Sequence, residues 1–109
     1  MSIDNSYIGM VMYDIPVNDK KARKDYESFR KTLLKKGYYQ IQESIYVCKF
    51  SYKSTVVAHQ LKLKSIAPKD SNIRMLILTK NQFHSIFVIS GTKTFIEEIL
   101  TNEKTIIEL

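Results

Sequence analysis

Asp14 is the residue best placed for chemistry. It lies near the end of an apolar stretch, Tyr7 to Ile15 (YIGMVMYDI), and is followed closely by Pro16 and a run of basic residues. A carboxylate in that position can bind a hard divalent cation, or it can satisfy the amides of the loop it opens. Alone it makes a poor cation site, because Mg2+ and similar ions take several oxygen ligands. A twofold dimer would supply a second Asp14, provided both lie near the axis. Other chemistries have less to build on. His59 and His84 lack a helical metal spacing and read as surface or packing histidines. Cys48 is the only cysteine, which leaves no intrachain disulfide or Cys-rich zinc site and suits a reducing cytoplasm. With glycines only at Gly9, Gly37 and Gly91, neither a P-loop nor a dinucleotide-binding fingerprint can be written.

The second chemical signal is charge. The chain carries a formal +6, and residues 18–80 hold fifteen Lys and Arg against five acids, so the positive charge sits between two slightly acidic ends. On the helix expected after Pro16, Lys20, Lys24, Lys31 and Lys35 fall near one face, with Arg23 and Arg30 beside them. Such a stripe suits phosphates rather than bases, because Lys and Arg neutralise a nucleic-acid backbone whatever its sequence. The alternative is an ordinary solubilising helix face.

These residues need elements to hold them. A chain of 109 residues suits one domain. Tyr7 to Ile15 reads as a buried strand. Asn18 or Asp19 can cap a helix whose apolar stripe is Ala22, Tyr26, Phe29 and Leu33, and Gly37 is a good stop for it. Tyr38 to Phe50 reads as one long strand or two short ones bent near Glu43 and Ser44. A second helix is expected over about residues 54–66, burying Val56, Val57, Leu61 and Leu63 and ending at Ala67-Pro68. Ile73 to Thr79 and Ser85 to Ser90 (SIFVIS) read as two further strands. In the tail, Thr94 and Glu97 can form a capping box for a short helix, while Thr105 to Leu109 (TIIEL) reads as a final strand.

The order predicts an α+β fold, a ferredoxin-like βαββαβ sandwich over residues 7–90 followed by a tail over 91–109. Residues 1–6 are expected to be poorly ordered. Ile8, Met10 and Met12 alternate with Tyr7, Val11 and Tyr13, so both sheet faces are apolar, and two helices cover only one of them. A homodimer packed through the second face is the favoured answer, with a tail folded over it as the competitor. No basic residue precedes Lys20 and no apolar run approaches a membrane span, so the expected location is cytoplasmic, without contact with a membrane.

Three segments together resemble the CRISPR-associated Cas-two family: Val11-Met12-Tyr13-Asp14-Ile15-Pro16, the basic helix ending at Lys36-Gly37-Tyr38, and Gln42-Glu43-Ser44-Ile45-Tyr46. The resemblance covers roughly residues 7–90. It implies a ferredoxin-like homodimer that joins two dimers of the Cas-one integrase and along which a protospacer duplex lies during spacer acquisition. It also implies metal-dependent endonuclease activity on single-stranded RNA or double-stranded DNA, with Asp14 as the magnesium ligand and Ser44 near the dimer axis. Ile45 and Tyr46 depart from the Val and Phe common at those positions. TIIEL is expected to add a strand to a partner subunit or to a Cas-one chain. A ribonuclease toxin of the virulence-associated type, which shares the fold, is the competing function. An RRM-type module is disfavoured because its Lys/Arg-Gly-Phe stacking motif is absent.

Overall fold

The computed structural model describes residues 6–101. Strand β1 spans Tyr7–Asp14 and leads through Ile15-Pro16 into helix α1, Lys20–Lys35. Asp19 caps α1, its Oδ1 accepting from the Ala22 amide at 2.7 Å. The C-terminus closes as a Schellman motif: the Tyr38 amide donates to the Leu33 carbonyl, and the Gly37 amide to that of Leu34. Gly37 takes φ +93, where a side chain would be strained.

The stretch expected as one or two strands divides at the expected bend. β2 covers Tyr39–Gln42 and β3 Ile45–Phe50, joined by a turn at Glu43 and Ser44. Helix α2, Lys53–Ile66, and strand β4, Asn72–Thr79, complete the βαββαβ order. The antiparallel sheet runs β2-β3-β1-β4, so the first strand is central and β4 is an edge, the ferredoxin-like arrangement.

Both helices pack on one face of the sheet. Val11, Tyr13, Tyr46 and Phe50 meet Phe29 and Leu33 of α1 and Val56 and Leu63 of α2 in the main core. Tyr13 anchors it, with ring centroids 5.3 Å from Phe29, 5.6 Å from Tyr26 and 5.8 Å from Tyr46. Gly9 lies under α2, where an added Cβ would come within 3.0 Å of the Phe50 ring. The α2 expectation needs one correction. Val56 and Leu63 are buried, two turns apart on one stripe, whereas Val57 and Leu61 lie on a flank about 100° or more away and are exposed, Leu61 by 66%.

The segment 85–90 is not a strand. Thr79 and Gln82 form a capping box at the end of β4, which starts helix α3, Lys80–His84, and turns the chain off the sheet. Phe83 packs on the second sheet face, while Phe87 and Ile89 are left 83% and 90% exposed. Thr94 and Glu97 form the expected capping box for helix α4, Phe95–Thr101. On that second face, Phe83 of α3 and Leu100 of α4 pack with Ile8, Met10 and Val47, so the competing arrangement, a folded tail, covers part of it within one chain. Leu76 of β4, opposite Met10 on the same face, remains exposed. TIIEL and residues 1–5 lie outside the described residues; Ser6 is buried, and its carbonyl accepts from the Lys80 amide at 3.3 Å.

Candidate nucleic-acid and cation site

Asp14 ends β1 opposite Asn72 of β4. The strand alternation puts it on the side of Met12 and Met10, away from the helices. Ser44 comes from the β2–β3 turn with φ +61, a left-handed conformation that costs a non-glycine residue roughly 1 kcal/mol or more. That turn is tied to β1, since the Ser44 carbonyl accepts from the Tyr13 amide at 3.1 Å. The fold thus brings together the two residues marked by separate motifs, Asp14 and Ser44, at one shallow depression of about 340 Å3 that Glu43, Asn72 and Arg74 also line.

The Asp14 carboxylate is exposed and has no ion-pair or hydrogen-bond partner among the described residues. The loop-amide role is therefore not what it does there. Carboxylates of Asp14 and Glu43, the Ser44 hydroxyl and the Asn72 amide oxygen make an all-oxygen donor set, which suits a hard cation. Among the described residues no three acidic, His or Cys side chains of one chain converge as a metal group. The donors fit such a cation only with further ligands from outside this chain.

Glu43, Asn72 and Arg74 were not singled out from sequence. Glu43 adjoins Ser44 and was open to detection, whereas Asn72 and Arg74 emerge only from the β1–β4 register that sets them opposite Asp14 and Met12.

The six cations predicted on α1 divide by direction. Phe29 and Leu33 are buried beneath the helix, and Lys20, Lys24, Lys31 and Lys35 form an exposed crest on the opposite side, within an arc of about 60°. Arg23 and Arg30 stand on one flank. Arg30 is half-buried, pairs with Glu27 at 3.8 Å, and has its pKa raised first by the Tyr46 hydroxyl. The crest lysines have no ion pairs among the described residues. Crest and Asp14 lie on opposite sides of the sheet.

His59 packs as a core-edge histidine. Its ring meets Phe50 edge-on at 4.7 Å, and its Nδ1 is 3.1 Å from the Tyr38 hydroxyl. Burial pushes the Cys48 thiol pKa up, away from reactivity.

The sequence profile described as CRISPR associated protein Cas2 matches residues 6–86. The chain belongs to this family. Its relatives include the CRISPR-associated endoribonuclease Cas2 of Ligilactobacillus salivarius strain UCC118, 33% identical over 99 residues that cover 90% of this chain and 96% of the relative. The protein of the same name from Parvibaculum lavamentivorans strain DS-1 is 34% identical over 84 residues, 77% of this chain and 83% of that one. The crystal structure of Streptococcus pyogenes Cas2 superposes with a TM-score of 0.59 at 21% identity, covering 76% of this chain and 99% of that chain. A second Cas2 crystal structure gives 0.58 at 21% identity, over 83% and 92% of the two chains. These superpositions carry the fold. Asp14 and Ser44 both fall within the span matched to the Cas2 family. No helix among the described residues is long and apolar enough to cross a membrane.

Proposed function

We propose that this chain is a Cas2 subunit of a CRISPR adaptation complex, acting as a homodimer that joins Cas-one integrase dimers and holds protospacer duplex DNA during spacer acquisition. The observation that supports the reading is the α1 crest: four exposed lysines in one row, without ion pairs among the described residues, on a chain of this family. Ammonium groups so arranged attract phosphates through charge and counterion release and read no bases. Lys24→Ala with Lys31→Ala is expected to weaken duplex binding and to lower the slope of log K against log salt by about two. Fluorescence anisotropy on a mixed-sequence duplex at several salt concentrations measures this, and an unchanged slope would remove the crest from the interface.

A second activity, a magnesium-dependent endonuclease acting on single-stranded RNA or double-stranded DNA, is supported by the unpartnered Asp14 beside Ser44 and Glu43. Relatives carry the name endoribonuclease. A bound Mg2+ would polarise a phosphoryl oxygen or lower the pKa of a water. In this chain Asp14 would hold the cation, Ser44 would orient the depression through its carbonyl link to β1, and a second copy's Asp14 would add the ligand that one chain lacks. Asp14→Ala is expected to reduce hydrolysis at least about a hundredfold, the scale of several kcal/mol of lost charge stabilisation, while duplex binding stays as it was. Retained hydrolysis would exclude Asp14 from the reaction. Loss of spacer integration as well, by a folded variant, would make the cation central to both functions.

A further inference from the structure

The basic surface of α1 continues beyond its crest. On the flank turned toward α2, Ser28, Thr32 and Lys36 follow at four-residue spacing, and Lys35 stands between this flank and the crest. Lys62 of α2 joins them, and these side chains line a groove of about 580 Å3 between the two helices. Among the described residues Asp25 is the one carboxylate that lines it. We propose that the α1–α2 groove seats phosphates of a nucleic-acid backbone, carrying the track of the crest across onto α2. The proposal rests on the nucleic-acid reading above and adds a second helix to the interface.

Three ammonium groups at one groove repel one another, and none has an ion pair among the described residues. Lys35 and Lys36 have a local reason to be there, since cations are favoured at a helix C-terminus. Lys62 has no such reason. It sits within α2, short of its last turn, and its charge adds to the other two. The charge of Lys36 is felt nearby, where it helps hold down the pKa of His59. The hydroxyls complement the ammonium groups. Thr32 donates to the Ser28 carbonyl at 3.0 Å, while the exposed Ser28 hydroxyl has no partner among the described residues and can donate to a phosphate oxygen.

The lining also favours backbone over bases. Among the described residues Phe29 is the only aromatic ring at the groove and is 3% exposed, so it offers no face on which a base can stack. Because Lys35 belongs to both crest and groove, a polyanion following the first is led into the second.

The test uses Lys36→Gln with Lys62→Gln, and Lys62→Gln alone as an exposed-site variant that spares the α1 C-terminus. Binding of a mixed-sequence duplex is followed by fluorescence anisotropy against salt, with circular dichroism melting as the check on folding. The slope of log K against log salt is expected to fall by about one for Lys62→Gln and about two for the pair. Unchanged slopes in these variants, with the slope reduced in Lys24→Ala/Lys31→Ala, would overturn the groove and leave the nucleic-acid reading standing. A wild-type protein that binds no duplex would overturn both. Competition by adenosine monophosphate at concentrations far below those of phosphate ions would also overturn the proposal, in favour of a nucleotide pocket.

Discussion

Burial and the nearby Lys36 ammonium hold the His59 imidazole below its ordinary pKa of about 6.5. The neutral ring is the form that belongs in the fold, where its Nδ1 faces the Tyr38 hydroxyl. With the folded pKa below the unfolded one, the unfolded chain binds more protons between the two values, so stability rises with pH across that window. The contribution is complete above about pH 6.5 and is lost as the pH falls through the depressed value. Urea unfolding between pH 5 and pH 8 should therefore show stability falling below about pH 6.5. In His59→Gln that part of the slope should vanish; a slope that persists would assign it to other groups. The sequence left His59 as a surface or packing residue and did not give its partners, because Tyr38, Phe50 and Lys36 are brought to it only by the fold. Asp14 was legible for a simpler reason: an acidic residue at the end of an apolar strand stands out whatever surrounds it.

At the level of elements, local signals served well wherever the deciding interactions were local. The Asp19 cap, the Gly37 stop, the Glu43-Ser44 bend and the Thr94/Glu97 box each involve residues within a few positions of one another, and each is present. Segment 85–90 failed because its alternation of apolar and β-branched residues looks like a strand, whereas the preceding Thr79–Gln82 box removes it from the edge it would have to extend. What remains is an exposed apolar stretch with Phe87 and Ile89 in solvent, and Leu76 of the edge strand β4 is also uncovered. Apolar exposure of this kind marks an interface. If the homodimer proposed here uses it, Phe87→Ser with Ile89→Ser should convert the dimer to a folded monomer in sedimentation equilibrium. A variant dimer as tight as the wild type would place the contact elsewhere.

For the whole molecule, the arrangement of the two candidate surfaces is the feature that sequence could not supply. Composition located the basic segment and the motifs located Asp14, yet both stand within one short stretch, residues 14–35, and look like parts of a single site. The crossing from β1 to α1 separates them. Strand alternation turns the Asp14 carboxylate to one side, while α1 packs on the other and presents its lysines outward. A sheet and the helix lying on it are roughly 10 Å apart from axis to strand plane, and the crest is further out by the helix radius and a lysine side chain. The sheet therefore works as a partition. A duplex held along the helices, as proposed above, would lie across the sheet from the carboxylate of the same chain, so the protein would shelter one strand pair while a different molecule, entering from the far side, met the acidic end of β1.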